Sequence, residues 1–83
     1  MVNEAEQYLL DLGFKQVRVR HHGDTARIEV AEAERLKFLD LELMDNVYKK
    51  FQEIGFAYTA LDLKGYRTGS MNEVIDTRQD ILE

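Results

Sequence analysis

The chain has 83 residues, 45% of them hydrophobic, with no cysteine and no proline, and sets 16 acidic against 11 basic side chains for a net charge of −5. These figures describe one small domain with a marginal core, and they exclude a disulfide framework and thiolate chemistry. No apolar run is long enough to cross a bilayer, and the opening MVNEAEQ is unlike an export signal. The acidic balance argues against general nucleic-acid binding, so the expectation is a cytoplasmic protein without a membrane partner.

In chain order, Asn3 and Glu6 have the spacing of a capping box, and Ala5, Tyr8, Leu9 and Leu12 share one helical face. They predict a helix over residues 4–12, stopped by Gly13. The stretch VRVRHHGDTARIEV, residues 17–30, then alternates. Val17, Val19, Ile28 and Val30 point one way, and Arg18, Arg20, Arg27 and Glu29 the other. Gly23-Asp24 suits a two-residue type II′ hairpin loop. That register sets Val17 opposite Val30, Val19 opposite Ile28, Arg18 opposite Glu29 and Arg20 opposite Arg27.

Residues 31–54 read as a helix in two pieces: a short AEAERLKF segment, then a longer one capped by Asp40 and ended by Gly55. The echo of Leu12-Gly13-Phe14 in Ile54-Gly55-Phe56 marks two helix-to-strand junctions. AYTALDL, residues 57–63, is a third strand with Thr59, Leu61 and Leu63 on one face and Tyr58, Ala60 and Asp62 on the other. In the tail, Ser70 to Glu73 has capping-box spacing and predicts a short helix near Met71. Residues 77–83 are expected to fray.

The order α-β-β-α-α-β predicts an α+β fold in a single domain over residues 1–83: a small three-stranded sheet, made of a β-hairpin and one further strand, with the helices packed on one face. Val17, Val19, Ile28, Val30, Leu61 and Leu63 would meet Leu9, Leu12, Val47 and Phe51. The other face, carrying Arg18, Arg20, Arg27, Glu29, Tyr58 and Asp62, is left uncovered.

Charge is unevenly spread. Residues 15–30 hold Lys15, Arg18, Arg20 and Arg27 against Asp24 and Glu29, a local +2, which leaves −7 for the rest. Alternate strand residues lie about 7 Å apart on one face, close enough for two or three guanidiniums to share one phosphate. The plainer reading is a solvated face with Arg18–Glu29 as a weak surface pair. Arg20 opposite Arg27 weighs the other way, because opposed like charges cost stability unless an anion shares them. His21 and His22 are adjacent and point to opposite faces, so they form no metal set. The glycine-bounded run Gly65 to Ser70 is either an anion-binding loop or a turn into a capped helix. No carboxylate pair suits catalysis, and no catalytic residue is expected.

VRVRHHGD and LDLKGYRTGSMNE together resemble the C-terminal domain of the ATP-dependent sacrificial sulfur transferase family, LarE-like members of the PP-loop superfamily that serve nickel-pincer cofactor biosynthesis. The resemblance spans about residues 3–75. It implies an accessory domain that supplies arginines to the phosphate of a nucleotide-like substrate or product and helps assembly. Carried onto matching positions, it implies phosphate contacts from Arg18, Arg20 and Arg67, with Arg27, Asp62 and Ser70 in support. This chain holds no PP-loop and no cysteine, so ATP and Mg are implied for the parent enzyme, no cofactor is expected on this domain alone, and a PP-loop ATPase domain or chain is the implied partner. The rival expectation is a ligand-free protein-interaction or homo-oligomerisation module, with the uncovered sheet face as its docking surface. A KH-like RNA module is disfavoured, because no GXXG loop lies between the helices.

Overall fold

The structure, a computed structural model, describes residues 1–66. Its elements are α1 (Val2–Asp11), β1 (Val17–His22), β2 (Thr25–Val30), a 3₁₀ segment (Glu32–Phe38), α2 (Leu41–Ile54) and β3 (Tyr58–Leu61). This is the expected α-β-β-α-α-β order and an α+β fold. The sheet is mixed, in the order β1-β2-β3, antiparallel between β1 and β2 and parallel between β2 and β3. A parallel neighbour needs a long crossover, and the 3₁₀ segment with α2 supplies it.

The hairpin register is the predicted one, with Val17 opposite Val30, Arg18 opposite Glu29, Val19 opposite Ile28 and Arg20 opposite Arg27. Gly23 has φ +56° and no non-glycine residue among those described has positive φ, which fits type II′ rather than type I′, where Asp24 would also need positive φ.

Both helices end on the same device. The Gly13 N–H donates to the Leu10 carbonyl and the Phe14 N–H to the Leu9 carbonyl; Gly55 and Phe56 repeat this on Gln52 and Phe51. This is a Schellman ending, which needs positive φ at the glycine and favours an apolar residue after it. Phe14 and Phe56 accordingly enter the core from the two junctions. The start of α2 is capped as predicted, with Asp40 Oδ1 accepting from the Glu42 and Leu43 N–H groups at 2.9 and 3.4 Å.

The core lies between the inward sheet face and the two helices. Ala26, Ile28 and Val30 of β2 pack with Val19, Leu9 and Phe51, all buried. Phe38 stacks on Phe14 with ring centroids 5.2 Å apart, pinning the 3₁₀ segment to the first junction.

Three expectations are corrected. Asn3 does not cap α1, because the helix already begins at Val2, and Glu6 instead accepts the Val19 N–H at 2.9 Å, on the edge of the outer strand β1. Leu12 lies outside the core at the exposed end of α1. The third strand stops at Leu61, not Leu63, because Asp62 Oδ1 accepts from the Lys64 and Gly65 N–H groups at 2.9 and 3.4 Å and turns the chain. Leu63 is therefore 80% exposed. The predicted helix near Met71 and the tail 77–83 lie outside the described residues.

Candidate functional site: the open sheet face

The helices cover one face of the sheet, and alternation places Arg18 and Arg20 of β1, Arg27 and Glu29 of β2, and Tyr58 and Asp62 around β3 on the other. The structure thus brings four of the six residues named from the sequence, Arg18, Arg20, Arg27 and Asp62, onto one surface. Arg67 and Ser70 lie outside the described residues.

The charges on this surface are not arranged as simple cross-strand pairing suggests. Glu29 is backbone partner to Arg18, yet its Oε2 accepts from Arg20 Nε diagonally at 3.4 Å and from Arg27 Nη2 along its own strand at 3.0 Å. Diagonal and i, i+2 neighbours are within reach of long side chains. Glu29 is only 6% exposed, and it is the sole buried charged residue among those described. The opposed Arg20 and Arg27 therefore share an anion that the chain itself provides. Arg27 Nε faces Asp62 Oδ2 at 3.9 Å, beyond hydrogen-bond length. Arg18 has no ion pair among the described residues; its guanidinium carbon lies 5.8 Å from the centre of the Tyr66 ring.

Tyr66 belongs to the glycine-bounded run Gly65 to Ser70, where the sequence gives it no role of its own, and its position follows from Gly65. The Tyr66 N–H donates to the Val30 carbonyl, extending the sheet edge past β3. Gly65 has φ +94°, and a Cβ there would stand 2.7 Å from the Val30 oxygen. This glycine thus serves close backbone approach, and residues 67–70 of the glycine-bounded run lie outside the described residues.

A second carboxylate unmarked by the sequence reading is Glu34. It accepts from the Lys15 N–H at 3.0 Å, the Gln16 N–H at 3.3 Å and Lys37 Nζ at 3.1 Å, tying the junction between α1 and β1 to the 3₁₀ segment. Burial pushes its pKa up, but the hydrogen bonds from Lys15, Lys37 and Gln16 outweigh that and hold it below the ordinary 4.5.

His21 sets its ring edge to Phe56 at 5.3 Å, a packing role. No group of three or more His, Asp or Glu among the described residues is placed to hold a metal ion. No glycine-rich loop joins a strand to a helix N-terminus within them. No helix among the described residues is long and apolar enough to cross a membrane.

An apolar margin stands apart from the open face. Leu36, Leu39, Leu41 and Leu63 are 71–80% exposed, and Met44 and Tyr48 about half as much. Two adjoining hollows of about 360 and 420 Å³ run along it between the 3₁₀ segment, α2 and β3, sharing Phe38, Met44 and Leu61 in their walls.

No family model matches the chain. It is 47% identical over 78 residues to pyridinium-3,5-bisthiocarboxylic acid mononucleotide synthase, LarE, of Lactiplantibacillus plantarum, and 40% identical over 74 residues to an uncharacterized protein of Synechocystis. These matches cover 94% and 89% of this chain but 28% of the length of each relative.

Proposed function

We propose, from the premise that the chain matches a LarE-like C-terminal domain, that it works as the accessory domain of an ATP-dependent sulfur transferase, on the substrate side of a larger enzyme. The observation that carries the reading is the exposed arginine pair Arg18 and Arg20 on the sheet face that no helix among the described residues covers. Guanidiniums held two residues apart on a strand present several N–H donors to one phosphoryl group. Arg67 joins them in this reading on the strength of the resemblance. The ATP-binding and sulfur-donating chemistry belongs to a PP-loop partner domain or chain. In that partner, ATP with Mg would supply the activation of a substrate carboxylate, and a cysteine would supply the sulfur. This domain's own part is to bind and orient the phosphate of the nucleotide-like substrate or product. Charge reversal, Arg18→Glu or Arg20→Glu, is expected to weaken nucleotide or phosphate binding and turnover in the assembled enzyme by tenfold or more. Unchanged binding and turnover would remove the assignment.

One observation favours a second reading, an interaction or oligomerisation module. Leu36, Leu39 and Leu63, each with more than two thirds of its surface exposed, line one hollow, and contiguous apolar surface commonly marks a protein contact. In this reading the docking surface is the apolar margin, not the arginine face. Sedimentation of the chain with and without Leu36→Ser and Leu39→Ser distinguishes the two, since only the second predicts a serine-sensitive assembly.

A further inference from the structure

The three guanidiniums of the open face are not equivalent donors. Arg20 Nε and Arg27 Nη2 are already engaged by Glu29, a carboxylate that is almost wholly buried. A buried, doubly bonded carboxylate is held by the fold and is not displaced by a soluble anion without leaving its own desolvation cost uncompensated. Any phosphate approaching Arg20 or Arg27 therefore meets guanidiniums whose charge is partly cancelled and whose donors are partly used. Asp62, with Oδ2 3.9 Å from Arg27 Nε, adds a second negative charge at that end of the face. Arg18 is differently placed. It has no carboxylate among the described residues, and it lies over the ring of Tyr66. A cation resting on an aromatic face keeps its charge, and a planar guanidinium that uses its face on a ring keeps its N–H donors for other partners.

Tyr66 is itself fixed by the backbone. Gly65, with positive φ and no room for a Cβ against the Val30 oxygen, brings the chain close enough for the Tyr66 N–H to reach that same oxygen. Val30 lies at the end of the central strand, one position beyond Glu29. The dipeptide Gly65-Tyr66 is thus a built support that carries an aromatic ring to the Arg18 end of the sheet.

Resting on the phosphate reading above, we propose that Arg18 is the principal phosphate-contacting group of this face, that Tyr66 is its positioning residue, and that Glu29 is an internal counter-anion limiting the contribution of Arg20 and Arg27. The face then takes one terminal phosphoryl group at the Arg18 end, with Arg20 assisting through its remaining nitrogens, rather than an anion chelated by all three arginines.

The test uses the 83-residue chain and inorganic pyrophosphate, followed through the arginine Nε–Hε resonances, with the amide spectrum confirming that each variant is folded. In the unaltered chain the Arg18 signal moves furthest. Arg18→Lys weakens binding about tenfold, because an ammonium lacks the planar fork. Tyr66→Leu weakens it about threefold, while Tyr66→Phe, which keeps the ring, stays within about twofold of the parent. Glu29→Gln tightens binding about threefold, and Arg27→Lys changes it less than about twofold. Equal affinities for Tyr66→Leu and Tyr66→Phe, or a loss in Arg27→Lys matching that in Arg18→Lys, overturn the inference while leaving the phosphate reading intact. If no arginine of the unaltered chain responds to pyrophosphate, the phosphate reading falls, and the inference with it.

Discussion

The open sheet face and the apolar margin are the two surfaces left over when the core closes, and they are left over for opposite reasons. On the sheet face, three arginines and two carboxylates settle most of their charge among themselves: Glu29 joins Arg20 to Arg27, and Arg18 alone of the three has no ion pair among the described residues. On the margin, Leu36, Leu39, Leu41 and Leu63 face water, and nothing among the described residues covers them. Polar surplus is cheap to carry in water and is spent on specificity. Apolar surplus is a standing cost of about 25 cal/mol for each Å² left uncovered. A charged surface suits a small anionic ligand and an apolar one a polypeptide, so the two proposed readings are tested on different surfaces.

The comparison can be broken at several points. The largest effect is expected at Gly65. Gly65 lies against the Val30 oxygen on one side and Arg35 of the 3₁₀ segment on the other. Gly65→Ala places a Cβ in a positive-φ position and into that oxygen, and should cost about 2–3 kcal/mol in denaturant unfolding. A cost below about 0.5 kcal/mol would show that the junction is not tight. Next is Glu29→Ala, which leaves Arg20 directly opposite Arg27 without their shared carboxylate. The expected loss is about 1–2 kcal/mol, moderated by the exposure of both arginines and shrinking as salt is added. A salt-independent loss would point to packing instead of charge.

Away from both surfaces, Glu34→Gln should cost about 1 kcal/mol at neutral pH through its weakened hydrogen bonds. Because the folded-state pKa of Glu34 is lowered, its contribution is present above the ordinary value of 4.5 and is lost as pH falls through the lower folded value. Thermal unfolding of parent and variant should therefore differ at pH 7 and draw together at acid pH; a constant gap would contradict this. The smallest effect is on the margin. Leu36→Ser with Leu39→Ser should change the stability of the isolated domain by less than about 0.5 kcal/mol, since both side chains are exposed already. A large loss would mean that the margin is core after all.

Much of this was legible in the sequence because the signals are local. The alternation in VRVRHHGDTARIEV determined the hairpin and its register, since a one-residue slip would bury arginines. Asp40 and the two glycine-phenylalanine junctions gave the helix boundaries through capping chemistry. What was not legible depended on three-dimensional proximity. Periodicity places Glu29 opposite Arg18 but cannot say that its carboxylate turns away to Arg20 and Arg27. Glu6 reads as half of a capping box and Glu34 as an ordinary helix-surface acid until the edge of β1 and the first junction are brought against them. Leu63 kept the strand's alternation, and only the turn made by the Asp62 side chain shows that the strand has already ended. Tyr66 carries no periodic signal at all; its importance comes from a glycine that lets the chain approach β2.

The central claim is that the open face holds phosphate through Arg18. Its most direct test is the dissociation constant of pyrophosphate for the unaltered chain and for Arg18→Glu, measured at low and moderate salt. Binding is expected to weaken as salt rises and to fall at least tenfold in the variant, with the fold unchanged. The same affinity in both proteins would contradict it.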